Sequence, residues 1–389
     1  MAIPITYNLR NVLQRPVAAL TTAVGVGLTV AVLLAALSLA EGFRRANQSP
    51  GSPDRAVILG SGADSEVMSG FGREAGDILR AHPGVAVGPD GRARVSLEMV
   101  ATTNLRRLGQ QGSSNIKVRG VDLLAVAVRA TPAIVAGRMF TPGTNEVIVG
   151  RSIATRFEHC QVGDRIRVAQ RVLQVVGLFA AGGSTYESEI WGDAAVLMPA
   201  FHREGGYQVA LLQLKNPADF ETLKAELEKD PRLGVKVERE DRFYAAQAQG
   251  VVLLITVLGG FITVIMAVGA LFGAANSMFA SVSSRTREVA MLMVLGFSRL
   301  AVTTSFVIES VLIALIGGVL GCLLALLING VRTSTTNFQS FSEVAFQFRV
   351  TPAILLIGLM VAALLGWVGG LLPAWRASRQ PLAAGLRKR

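Results

Sequence analysis

Arg285-Thr-Arg-Glu288 is a knot of charge set against an apolar run, and it opens the stretch RTREVAMLMVLGFSRL that ends at Leu300. A guanidinium and a carboxylate three residues apart share one helix face. Such a pair binds phosphate, headgroups or a partner's charges and does not turn over a substrate. The other reactive side chains offer no catalytic constellation. His82, His159 and His202 are scattered without ligand spacing, so no metal site is expected. Glu187 and Glu189 alternate with apolar positions near Trp191 and read as a strand or loop face, not an acid–base pair. No nucleophile elbow stands out, and no Gly-x-x-x-x-Gly-Lys-Ser/Thr loop is present to cradle a nucleotide's phosphates. Glu309 is the one ionisable residue well inside an apolar run. It is expected to pair with a backbone or hydroxyl group and hold helices in register; a proton or substrate site is the alternative. Cys160 reads as a lone packed thiol, too far along the chain's layout from Cys322 for a disulfide.

The elements around these residues are unusual. Of 389 residues, 51% are hydrophobic and only 17% charged, where a soluble domain carries about 25%. Four windows lack charge altogether: Pro16–Ala40, Phe243–Ser284, Ser310–Val331 and Val350–Trp375. A membrane helix needs about 20 apolar residues, so four spans are expected. Pro16–Ala40 is too long for the apolar core of a signal peptide. Phe243–Ser284 has 42 residues, about 63 Å of helix, roughly twice the hydrocarbon core. It should therefore continue outward as a stalk, with Gly259-Gly260 as a kink point. The pairs Gly269/Gly273, Gly317/Gly321 and Gly366/Gly370 let helices approach closely, within one subunit or along a dimer seam.

The net charge of +11 would suit nucleic acid, but its placement argues otherwise. The N-terminus, the 285–299 segment and the C-terminal tail hold ten of the 38 basic residues and one of the 27 acids. With four spans these segments share one side, which is the positive-inside pattern. Both termini are expected in the cytoplasm, and residues 41–242 and the 329–350 loop outside, with membrane lipids and not nucleic acid as the charged partner.

The expected fold is thus a membrane α-helical one with four transmembrane helices, plus an exported α/β (α+β) domain between helices 1 and 2. The divisions are 1–15 cytoplasmic, 16–40 first span, 41–242 exported, 243–280 stalk and second span, 281–300 cytoplasmic loop, 301–328 third span, 329–350 short outer loop, 351–373 fourth span and 374–389 basic tail. A short interfacial helix is expected over residues 1–15. In the exported region Tyr207–Leu214, Asp219–Lys229 and Val235–Val237 read as β-α-β, with a similar unit between Arg55 and Val100. These two parts, roughly 41–122 and 206–242, would flank an inserted subdomain of roughly 123–205. Val162-Gly163-Asp164 and the two alternating runs after it read as hairpin-like.

In the cytoplasmic loop, Ser281–Ser284 offer hydroxyl N-caps and Gly296 a C-cap. A short helix should lie along the membrane surface, either anchored by its arginines to lipid phosphate or docked on a cytoplasmic protein. From the residues alone the two readings stand level.

Arg285-Thr-Arg-Glu288-Val-Ala, Met291-Leu-Met-Val-Leu-Gly296-Phe-Ser, Ile308-Glu309-Ser310 and Gly317-Gly318-x-x-Gly321 together resemble the signature of FtsX/MacB-type permeases of ABC transporters. The tail Leu372-Pro373-Ala374-Trp375-Arg376-Ala377-Ser378-Arg379-x-Pro381-Leu382-x-x-x-Leu386-Arg387 and the N-terminal Asn8-Leu9-Arg10-Asn11 are similar to the same family's ends. Val162-Gly163-Asp164 with Val175-Val176-Gly177 resembles the MacB-like periplasmic core. The resemblance implies a non-enzymatic permease of the inner membrane, working as a homodimer. ATP and Mg would be bound by a separate ABC ATPase subunit, not by this chain. It makes the loop a coupling helix, with Arg285, Arg287 and Glu288 contacting the ATPase, Val289 and Leu292 packing beside them, and Gly296 ending it. It implies mechanotransmission to the exported domain for efflux, with a periplasmic adaptor and beyond it an outer-membrane exit duct. Release of lipoproteins and control of a cell-wall hydrolase are the alternatives.

Overall fold

The computed structural model describes residues 16–48, 51–109, 111–129, 132–337 and 340–379. The expected interfacial helix over 1–15, the Asn8–Asn11 match and the end of the tail motif at Pro381–Arg387 lie outside them. In chain order the elements are α1 (Pro16–Gln48), β1 (Arg55–Gly60), β2 (Phe71–Gly72), α2 (Arg73–Ala81), β3 (Val95–Arg106), β4 (Ser113–Val121), α3 (Leu124–Arg129), β5 (Ala133–Gly137), β6 (Glu146–Gly150), α4 (Arg151–Ala154), β7 (Arg165–Val168) and β8 (Arg171–Ala180). A 3₁₀ turn at Thr185–Ser188 leads to β9 (Glu189–Asp193), α5 (Ala194–Ala200), β10 (Gly206–Tyr207), β11 (Val209–Gln213), α6 (Phe220–Lys229) and β12 (Val235–Arg239). There follow α7 (Glu240–Ser284), α8 (Thr286–Val294), α9 (Arg299–Leu327), β13 (Arg332–Asn337), β14 (Ser342–Gln347) and α10 (Pro352–Ser378).

Two compact units emerge. One comprises α1 up to Glu41, α7 from Leu253, α8, α9 and α10; the other comprises Gly42–Val252 together with Arg332–Gln347.

In the first unit, α1, α7, α9 and α10 are each long and apolar enough to cross a membrane. Val26, Val30 and Leu34 of α1 meet Ala314, Cys322 and Ala325 of α9 and Ile354, Ala362 and Leu365 of α10. The glycines explain the tightness. A Cβ at Gly317 would lie 2.4 Å from the Ala23 carbonyl oxygen, and one at Gly321 2.6 Å from that of Gly27, so α1 and α9 touch through backbone. Gly366 and Gly370 admit α9 to α10 in the same way, and the Ser310 hydroxyl donates to the Gly366 carbonyl at 2.8 Å. Among the described residues, nothing lies within 4 Å of where a Cβ at Gly269 or Gly273 would stand. α7 runs unbroken for 45 residues through Gly259-Gly260. Its Val257, Phe261, Val264, Ile265 and Phe272 are largely exposed, a surface suited to hydrocarbon.

The second unit is built on a ten-stranded sheet in the order β12-β1-β11-β3-β4-β9-β6-β8-β5, with β7 paired to β8. Among the described strands, only the β4–β9 and β6–β8 pairs are parallel. The two β-α-β units, β1-α2-β3 and β11-α6-β12, interleave: β11 lies between β1 and β3, and β1 between β11 and β12. The inserted subdomain begins earlier than residue 123. β3 pairs with β11 through Val95–Glu98 and with β4 through Met99–Arg106. Its first half therefore packs with α2 and α6, while Met99, Ala101 and Leu105 join Ile116, Val118 and the insert's strands in another core. A strand of 12 residues is long enough to serve two cores. The 329–350 segment is likewise more than a loop: β13 and β14 form a hairpin that belongs to this second unit.

Candidate functional site

The connection between α7 and α9 brings charge into the apolar bundle. α7 stops at Ser284, and Arg285 takes a non-helical conformation (φ −114°, ψ 15°) before α8 begins. The serines do not cap α8. Ser283 and Ser284 donate back to the carbonyls of Phe279 and Ser281, and Thr286 to that of Ser283. A hydroxyl near the end of one helix finds its own helix's carbonyls before the next helix's N–H groups.

The end of α8 follows the expected pattern. Gly296 adopts φ +91°; its N–H donates to the Met293 carbonyl (3.2 Å) and the Phe297 N–H to that of Leu292 (3.1 Å). These are the two bonds of a Schellman motif, which needs a residue free to enter the left-handed region. Ser298 then caps α9, its Oγ accepting from the Ala301 N–H at 3.2 Å. Two helices are thus joined by four residues, Leu295 to Ser298, with end groups satisfied locally.

Arg285 turns inward. Its guanidinium donates to Glu309 Oε2 at 2.9 Å and to Glu288 Oε2 at 3.1 Å, and lies 5.7 Å from the Phe306 ring centre. The Arg285 and Glu309 side chains are only 8% and 5% exposed, against 59% for Glu288. The expected partner of Glu309 is a backbone or hydroxyl group; the structure gives it a cation from the junction before α8. A buried carboxylate in apolar surroundings is costly unless paired, and the Arg285 guanidinium supplies the opposite charge.

Of the remaining expected contacts, Val289 is buried with Met278, Val282, Val302 and Phe306, and Leu292 is half-buried. Arg287, Glu288, Met291, Val294 and Leu295 face outward. α8 therefore has an inner edge, Arg285 and Val289, and an outer edge of two charges followed by three apolar side chains. Gly317 and Gly321 act elsewhere, at the contact with α1.

Sequence reasoning missed a second collection of charge, inside the exported sheet. Arg119 on β4 is fully buried and donates to Glu66, Glu98 and Glu189 at 2.6–3.0 Å. Arg129 grips Glu98 with both terminal nitrogens, and Lys117 reaches Glu66 (2.8 Å). Arg55 donates to Glu240, the first residue of α7, which also accepts from the Ser52 N–H and Tyr186 hydroxyl. Burial alone would raise the Glu66 carboxyl, but the Arg119 and Lys117 charges outweigh it and hold it below the usual carboxylate range. Glu98 is lowered likewise: burial opposes, and Arg129 and Arg119 prevail. Lys117 and Arg119, two apart on a strand, were the available signal, since alternation should have sent both to solvent.

The other titratable residues have local duties. Glu187 accepts from the N–H groups of Ala181 and Gly183, and Glu189 belongs to the buried cluster. His82 pairs with Glu226 at 3.2 Å, while His159 and His202 occupy left-handed turns. The Cys160 thiol, buried, is pushed up to about 12 by burial and the nearby Asp164 charge.

Comparison with known proteins agrees with this layout. Residues 19–230 match the MacB-like periplasmic core domain, and residues 250–382 the FtsX-like permease C-terminal family. A macrolide export ATP-binding/permease protein MacB of Pasteurella multocida is 24% identical over 369 residues, covering 84% of this chain and 54% of that protein. The MacB of Bordetella avium is 37% identical over 125 residues, 32% of this chain and 18% of that protein. The chain thus spans about half or less of the length of these relatives. Among solved structures, the periplasmic region of MacB from Actinobacillus actinomycetemcomitans aligns with 51% of this chain and 94% of its own, at 11% identity and a TM-score of 0.38. The chain, with four apolar helices and this domain inserted after the first, belongs to the FtsX-like ABC transporter permeases that carry a MacB-like periplasmic core domain.

Proposed function

We propose that this chain is the permease of a MacB-type export system and that α8 is its coupling helix. A nucleotide-binding ABC partner, which holds the ATP and Mg, docks on α8. Its closure on ATP moves α8, and the motion passes to the exported domain, which works as a homodimer with a periplasmic adaptor. Arg287 and Glu288 supply the charged contacts with the ATPase. Arg285, Val289, Leu292 and Gly296 set the helix in place. One observation carries the reading: a short helix between two apolar ones is pinned to the bundle by a buried ion pair and yet presents charge and apolar side chains outward.

The test is co-purification of the membrane-inserted chain with its candidate ATPase, comparing wild type with Arg287→Glu. Loss of the ATPase from a chain that melts as the wild type does supports coupling through α8. Full retention of the ATPase, with the variant's lipid binding reduced instead, makes α8 a membrane anchor and sinks the reading.

A further inference from the structure

The connection between α9 and α10 is a short hairpin, and a free hairpin can bury at most one face. Yet Ser342, Glu343, Val344, Ala345 and Phe346 of β14 are all buried. The second unit covers them. The Ala345 N–H donates to Ser188 Oγ at 2.9 Å, and the Phe346 ring meets Phe43 edge-on at 5.2 Å. Gly42 lies so close to the Gln347 carbonyl oxygen that a Cβ there would sit 1.9 Å from it.

Within this apolar seat stands one charge. Glu343 is 2% exposed and accepts from Arg107 Nη2 at 2.6 Å and from Arg156 Nη2; Arg156 also bonds Ser334 Oγ on β13. Arg107 follows β3, and Arg156 follows α4. Those two segments are themselves stitched by the Leu108 N–H to Arg156 carbonyl bond (2.8 Å) and a bridge between Arg107 and Phe157. Burial would raise the Glu343 carboxyl, but the hydroxyls of Ser114 and Ser334 and the charges of Arg156 and Arg107 lower it below its ordinary value. Apolar contacts tolerate sliding. A carboxylate gripped by two guanidinium groups from two elements does not, because charge-assisted bonds demand both distance and direction.

We propose that Glu343 is a positioning residue: held between Arg107 and Arg156, it fixes the α9–α10 hairpin at one place on the exported unit, so that movement of α9 and α10 is delivered to the sheet at β3 and β4. Without it the hairpin would absorb that movement as a pliant loop. The proposal rests on the permease reading above.

The test uses the full chain in lipid nanodiscs with its candidate ATPase, comparing wild type, Glu343→Gln and the exchange Glu343→Arg/Arg156→Glu. Without nucleotide, amide exchange at 332–347 should rise about tenfold or more in Glu343→Gln and fall back in the exchange variant. Unchanged exchange in Glu343→Gln overturns the clamp. With ATP and Mg, the wild type should show altered exchange at β3 and β4. Glu343→Gln should lose at least about half of that response at an unchanged melting temperature and ATPase rate, which a purely structural role would not produce. A full response in Glu343→Gln overturns the transmission role. No response in the wild type overturns the permease reading and the transmission role together, while the nucleotide-free comparison still decides the clamp.

Discussion

The two units bury charge in opposite ways. In the exported unit, Glu66, Glu98, Glu189 and Glu240 meet Arg55, Lys117, Arg119 and Arg129 in a network in which Arg119 alone serves three carboxylates. In the membrane unit the Arg285–Glu309 bond joins one loop to one helix, and Arg285 shares itself with the exposed Glu288. The network is redundant and draws its members from β1, β3, β4, β9, α3, α7 and the loop carrying Glu66, so it fixes a sheet. The pair ties the junction of two helices, so it fixes an angle.

The contrast breaks most sharply at Arg119. Arg119→Met takes from three buried carboxylates the cation they share, leaving Glu98 to Arg129 and Glu66 and Glu189 to Lys117, and should cost about 3–5 kcal/mol; chemical denaturation of the exported unit's fluorescence within the full chain measures it. Glu309→Gln removes one charge-assisted bond and should cost less, about 1.5–3 kcal/mol. Its sign is a loosened α7–α8 junction, read as faster tryptic cleavage at Arg285 and Arg287. Equal losses from the two substitutions would erase the distinction between network and tie.

Acid should sharpen it. Glu66 and Glu98 have folded pKa values below their unfolded ones, so their contribution is fully present above the unfolded carboxylate value of about 4.3. It is lost as pH falls from there through the lower folded values. The exported unit's melting temperature should be flat from neutrality to about pH 5 and decline below. A decline that begins nearer neutrality would mean that these carboxyls are not held in the charged form.

The smallest effects belong to residues outside both arrangements. Arg287→Glu, on the outer edge of α8, should change stability by less than about 0.5 kcal/mol and, under the proposed coupling role of α8, release the ATPase. Cys160, whose thiol is raised to about 12, should resist maleimide at pH 8 until the domain unfolds.

Local signals carried much of this architecture. Charge-free windows mark the four helices because hydrocarbon tolerates little else, and Gly296 marks the end of α8 because a left-handed residue is needed there. What escaped was long-range. Glu309 and Arg285 are 24 residues apart, Glu66 and Arg119 53, and Arg55 and Glu240 185, and nothing in a local pattern pairs them. The serines before α8 looked like caps because type and position fit; the competing carbonyls one turn back are visible only in three dimensions. β3 hid its division between two cores because the local pattern marks a strand only to Val100, short of the half that packs with the insert. The hairpin of β13 and β14 read as a loop because its burial comes from a surface more than 150 residues away, at Ser188.

α7 has a further consequence. Glu240 holds its first turn, and the helix runs without a break to Ser284. Such a rod has a phase as well as a length. Each residue added turns everything downstream by about 100° and advances it by about 1.5 Å. One extra residue after Val252 would thus present a different face of the helix to its surroundings with hardly any change in reach. Seven extra residues would add about 10 Å and return the faces to within about 20° of their starting azimuth. Evolution can lengthen this stalk, but only in steps close to whole pairs of turns.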